Sequence, residues 1–177
     1  MSNREWLEAA VHRIRRHPLL PVGTGTPVQI GQDGLERLLP HRPPMLLVDS
    51  IEAVDASAGL VRGTRTLRAA DLGFSGHFPD DPIYPGVLLI ETMGQLGITL
   101  LHFTGRQTTE VPPGTVPPRV RATHVHHATF LAPARPGDTL TLHAAVVDHS
   151  FTMIAAGQVY RGDTLVANAV AEVYVDE

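Results

Sequence analysis

The sequence predicts an α+β domain in which an antiparallel sheet wraps around one long helix. Three observations carry the prediction. Residues 85–103 form an apolar run whose Val87, Leu88, Leu89, Ile90, Met93, Leu96, Ile98, Leu100 and Leu101 cover nearly every helical face, the pattern of a helix buried on most sides. Residues 119–175 are rich in β-branched residues and punctuated by Pro136-Gly137-Asp138 and Arg161-Gly162-Asp163, as in a meander of short strands. At 177 residues the chain is long enough for one domain with a substantial core.

The elements follow in order. Residues 2–16 predict an amphipathic helix: Ser2 and Glu5 have capping-box spacing, and Trp6, Ala10, Val11 and Ile14 share a stripe. His17-Pro18 stops it. Its apolar stripe packs on its own domain in the simplest case; docking a partner is the alternative. The turn-rich PVGTGTPVQIG predicts a linker, so residues 1–28 form an extension and residues 29–177 the main domain. GLERLLPH predicts a helical turn ending at Pro40, and MLLVDSIEAVD (45–55) and GLVRGTRTLR (59–68) predict strands. A Gly/Pro-rich loop leads to the long helix. ATFLAPA (128–134), DTLTLHAAVVD (138–148), FTMIAAGQVYR (151–161) and LVANAVAEVYV (165–175) then predict successive antiparallel strands. No membrane span is expected, because Glu91 and Gln95 interrupt the apolar run before it reaches about 20 clean residues.

Composition narrows the chemistry. A net charge of −4 gives no basic footprint for nucleic acid. The first residues, SNREWLEAAVHRIRRHP, carry charges where a secretory signal has an apolar region, which predicts a cytoplasmic protein. There is no cysteine, hence no disulfide, thiol nucleophile or thiolate metal site. There is no lysine either, since all 14 basic residues are arginine. That excludes Schiff-base catalysis and a Walker-type phosphate loop.

The candidate chemistry lies in FSGHFPDDPIYPGVLLIETMGQLG, residues 74–97. His77 stands in a loop stiffened by Pro79, Pro82, Pro85 and Gly86, which suits a general base. Glu91 is one carboxylate in an otherwise apolar helix, where desolvation is expected to raise its pKa and keep it protonated as a general acid. Gln95, one turn on, is placed to orient it. Pro85-Gly86 starts the helix, leaving N–H groups free to stabilise an oxyanion such as a thioester carbonyl. His124, His126 and His127 do not suggest a metal site: 124 and 126 share a strand face, 127 points away, and no carboxylate is near in sequence. His41-Arg42-Pro43-Pro44 suggests the end of a helix and the start of a strand.

These residues resemble the 3-hydroxyacyl-[acyl-carrier-protein] dehydratases of the hotdog fold. LLPHRPPMLLVDSI (38–51), GHFPDDPIYPGVLLIETMGQ (76–95) and RPGDTL (135–140) carry the resemblance. It implies a bent antiparallel sheet around a central helix. It implies that His77 removes the α-proton of a 3-hydroxyacyl thioester and that Glu91 protonates the leaving hydroxyl. Gly86 matches the backbone donor to the thioester carbonyl, and Phe78, Tyr84, Val87 and Gln95 complete the implied substrate site. The family uses no cofactor or metal. It works as homodimers that share residues across each site, often as trimers of dimers, on substrates held by acyl carrier protein. Glu91, rather than Asp, matches the branch that dehydrates without isomerising. Other roles for the fold are a thioesterase or a non-catalytic acyl-binding subunit.

Three departures from the family pattern stand out. Asp80 replaces a usual glycine and Tyr84 a usual methionine. The family's cations before the Pro-Gly-Asp turn, which help meet the acidic carrier, are here His127, Thr129, Leu131 and Ala132. Compensation by Arg119, Arg121 or Arg135, a specialised carrier, or coenzyme A would each answer that loss. The change points toward a dedicated route such as secondary metabolism.

Overall fold

The computed structural model describes residues 3–149 and 152–176. Its elements are α1 (Asn3–Arg16), β1 (Thr26–Ile30), α2 (Gln32–Leu38), β2 (Ser50–Asp55), β3 (Leu60–Thr66), α3 (Gly86–Arg106), β4 (Arg119–Phe130), β5 (Thr139–His149), β6 (Met153–Arg161) and β7 (Thr164–Asp176). The strands form one antiparallel sheet in the order β1-β2-β3-β5-β6-β7-β4. This is the α+β hotdog arrangement that the sequence predicts.

The apolar wrapping of α3 has the expected consequence. Leu96, Leu100 and Phe103 are fully buried beneath the sheet, together with Leu142, Val159, Val166 and Ala167. By length and composition alone α3 would also suit a membrane span, but most of its apolar surface is buried against this sheet. Helix and sheet approach closely at Gly157, where a Cβ would lie 2.6 Å from Cβ of Met93. Any larger residue there would push them apart.

The opposite face of the sheet is covered by α1 and the segment after it. Ala10, Ile14, Leu19 and Leu20 pack on Ala53, Leu60, Ala145, Ile154, Ala156 and Val170. The expected stripe thus lies on the chain's own sheet; Ser2 and the Trp6 side chain lie outside the described residues. Three buried polar side chains tie the segment down. Gln158 donates to the carbonyls of Ile14 and His17 and accepts from the Leu19 N–H. His143 Nδ1 accepts the Leu20 N–H, and Arg62 donates to the Pro21 carbonyl at 2.9 Å.

The sheet corrects the sequence reading in three places. The expected linker contains β1, so the extension assigned to residues 1–28 runs into a strand. Residues 46–49 are buried or half-buried without being a strand, and β2 begins only at Ser50. The strand expected at 128–134 is the tail of β4, which starts nine residues earlier, at Arg119.

Candidate active site

The loop before α3 is closed on itself. The Ile83 N–H bonds the His77 carbonyl at 3.0 Å, and the His77 ring returns the contact through Nδ1 to the Ile83 carbonyl at 2.8 Å. A carbonyl only accepts, so Nδ1 carries the proton and Nε2 keeps its lone pair. The Phe78 ring stacks on the imidazole, with centroids 4.2 Å apart. Arg135 pairs with Asp81 and holds the far side of the loop, and that contact lowers the Asp81 pKa. At the base of the loop, Arg65 bridges Asp49 and Asp71, each at 2.9 Å.

Helix α3 begins after Pro85, with no side-chain cap. As first helical residues, Gly86 and Val87 have no intrahelical acceptor for their N–H groups. A Cβ at Gly86 would lie 2.7 Å from the Phe130 ring, so glycine lets the helix start sit against β4. Val87 is 70% exposed. Gln95 is fully committed: its amide nitrogen donates to Glu91 Oε1 and the Met45 carbonyl, and its oxygen accepts from the Leu47 N–H, each at 2.8 Å. It positions Glu91 and residues 45–47, both its N–H donors are taken, and its side chain is buried away from any substrate surface.

His41 is the residue that sequence reasoning missed. Its neighbour Arg42 caps α2, donating to the carbonyls of Leu39 and Glu36 as a helix-ending residue should. His41 itself places Nε2 3.3 Å from Glu91 Oε1. The contact also corrects the expected titration of the acid. Hydrogen bonding from His41, aided by Gln95, outweighs desolvation and holds the Glu91 pKa below the ordinary carboxylate range. The Glu91 side chain is 38% exposed, too open for burial to win.

Two further expectations change. Tyr84 is not at a substrate surface: it is 2% exposed, packed on Phe74 with centroids 5.4 Å apart. Burial raises its pKa. The β4 histidines do have a carboxylate, supplied across the ladder: His126 Nε2 meets Glu172 Oε2 at 2.8 Å. His124 stacks on His126, while His127 bonds Asn168 and Thr129. Among the described residues no group of three such side chains could hold a metal.

The chain thus brings Glu91, Gln95 and His41 together. It sets His77 beside Phe78 and Ile83 in the loop before α3. Among the described residues, neither a hydrogen bond nor an ion pair joins the two groups.

The FabA-like domain family matches residues 39–170, a span that holds both groups and omits α1. The 3-hydroxyacyl-[acyl-carrier-protein] dehydratase FabZ of Campylobacter lari is 38% identical over 136 residues, covering 76% of this chain and 90% of that protein. FabZ of Fusobacterium nucleatum is 39% identical over 134 residues, covering 74% and 86%. A chain of the dehydratase heterocomplex ApeI:P from Xenorhabdus doucetiae superposes with a TM-score of 0.61 at 18% identity, covering 81% of this chain and 91% of that one. The structural likeness establishes the fold; the sequence matches establish the lineage. The chain belongs to the FabA-like family of 3-hydroxyacyl-[acyl-carrier-protein] dehydratases.

Proposed function

We propose that this chain dehydrates a 3-hydroxyacyl thioester, carried on acyl carrier protein in fatty-acid or related acyl-chain biosynthesis, to the trans-2-enoyl thioester and water. The observation that carries the reading is the fixed tautomer of His77, which leaves Nε2 as a base on a loop pinned at both ends. Nε2 takes the α-proton, and the electron pair moves toward the thioester carbonyl. The oxygen of that carbonyl is met by the Gly86 N–H at the positive end of α3. The C–O bond at C3 breaks as Glu91 gives its proton to the departing hydroxyl. Val87 and Phe78, both exposed beside these groups, flank the thioester.

Membership of the FabA-like family supports a homodimer in which each site takes its base from one subunit and its acid from the other. Trimers of dimers are the further assembly open to this fold. Substrate and the second subunit then cover the open side of Glu91. Desolvation raises its pKa from the low value of the free chain, and the proton is taken up as the site closes. Neither step uses a cofactor. The expected location is the cytoplasm, where carrier-bound acyl chains are built.

The test is hydration–dehydration of a 3-hydroxyacyl/2-enoyl pair on carrier protein. His77→Ala and Glu91→Gln are each expected to lower kcat by about 10²–10⁴-fold while thermal unfolding stays near wild type. Full activity in either variant refutes the assignment of that residue.

A further inference from the structure

We propose that the last turn of α1, carrying Arg13, Arg15 and Arg16, is the surface on which an acidic acyl carrier protein docks beside the active site. The inference rests on the dehydratase reading and names the contact that reading leaves open.

The first observation is where the turn sits. Arg15 Nη2 donates to Thr129 Oγ1 at 3.4 Å, in the open at the end of β4. The next residue, Phe130, lies against Gly86 at the start of α3. Consecutive strand residues face opposite sides of a sheet. Arg15 and the helix start are therefore separated by a single strand, and that strand is the sheet's edge. The second observation is what β4 lacks. Thr129 is one of the positions where the family resemblance implies a cation for the carrier, and Leu131, two residues on, is exposed. Residues 1–38 lie outside the family match, so the cation at Thr129 comes from a part of the chain beyond the family domain.

The other arginines are spoken for or misplaced. Arg135 is paired with Asp81 and Arg121 with Asp176. Arg119 begins β4, at the opposite end from Phe130. Arg13 and Arg16 are exposed, and neither enters an ion pair among the described residues. Cations in a last turn also favour the helix's own carbonyl end. That accounts for their presence but not for the seat of the turn on Thr129. The seat is rigid, because Gln158 holds the carbonyls of Ile14 and His17 on either side of Arg15 and Arg16. Three exposed guanidiniums spread around a helix end suit the scattered carboxylates of an acidic protein face. A single nucleotide phosphate calls for a pocket with buried donors, and these three side chains form none.

The experiment titrates the full chain with a type II acyl carrier protein bearing a phosphopantetheine-linked 3-hydroxydecanoyl group. Wild type is compared with the triple variant Arg13→Gln/Arg15→Gln/Arg16→Gln and with the matching triple Lys variant. Turnover of the same acyl group on free pantetheine is measured alongside. The Gln variant is expected to bind the carrier at least about tenfold more weakly at low salt and to lose most of the salt dependence. The Lys variant should keep most of the affinity, and turnover on pantetheine should be unchanged in both. Equal carrier affinity in wild type and the Gln variant overturns the proposal. So does an equal loss on free pantetheine, a loss seen with Arg119→Gln/Arg121→Gln instead, or an arginine dependence confined to coenzyme A thioesters. Arginine-dependent carrier binding without turnover of any thioester would leave the docking surface standing and sink the dehydratase reading.

Discussion

His41 sits 50 residues before Glu91 in the chain yet holds its carboxylate at 3.3 Å. Nothing local marks it, since its neighbours Arg42 and Pro43-Pro44 have the look of a helix stop, and Arg42 does perform that task. His77 and Glu91 could be proposed from the sequence because loop stiffness and a lone charge in an apolar helix are sequence properties. A contact between distant segments is not. The His41 contact has a pH signature. Because it is the first cause of the lowered Glu91 pKa, His41→Ala should let that pKa rise. The proton on the acid then persists to higher pH, and the alkaline limb of kcat/KM moves upward even as the peak rate falls. A pH–rate profile of the variant with an unmoved limb would show that His41 does not tune Glu91. In the free chain the same lowered pKa favours folding above the ordinary carboxylate range and stops doing so as pH falls through it.

The elements legible in the sequence are those buried against apolar neighbours: α3, β5, β6 and β7. Strand β4 escaped because it is an edge with both faces largely exposed, and bulges near Thr123 and His126 break its alternation. Residues 46–49 misled in the other direction. Their apolar run is buried, but Gln95 takes the Met45 carbonyl and the Leu47 N–H, the groups a strand partner would need. Two substitutions test how the elements are fastened. Arg65→Ala leaves Asp49 to Thr66 and Arg68 and Asp71 to the Arg68 N–H, and should cost about 1.5–3 kcal/mol in urea unfolding. Gly157→Ala forces β6 against Met93 and should cost about 1–3 kcal/mol. A neutral result for either would mean that the loop base or the helix seat relaxes freely.

At the scale of the whole molecule, the middle of the sheet is dry on both faces, with α3 on one and α1 with its following segment on the other. The fold class was readable from the sequence because a single all-round apolar helix leaves few alternatives to a wrapping sheet. The polar fastening of the outer face was not, since Gln158, His143 and Arg62 meet their partners across more than 40 residues. His143 makes this face pH-sensitive. Desolvation first, then the Arg62 charge, lowers its pKa from 6.5 to about 4. The unfolded chain therefore binds the extra proton between those values, and stability falls as pH drops through that window, by about 3 kcal/mol in total. His143→Asn keeps an acceptor for the Leu20 N–H and should flatten that part of the urea-midpoint profile. An unchanged slope would assign the pH dependence to other groups.

The position of β4 in the strand order has a consequence for how this protein is handled. Among the described residues it is bonded only to β7 and presents twelve residues of backbone whose outer row has no strand beside it, a template for a second identical chain. If that second chain also completes each site, catalysis becomes a property of concentration rather than of the single molecule. Specific activity should then decline on dilution and return on concentrating. A stock kept too dilute would look inactive while every chain in it was correctly folded.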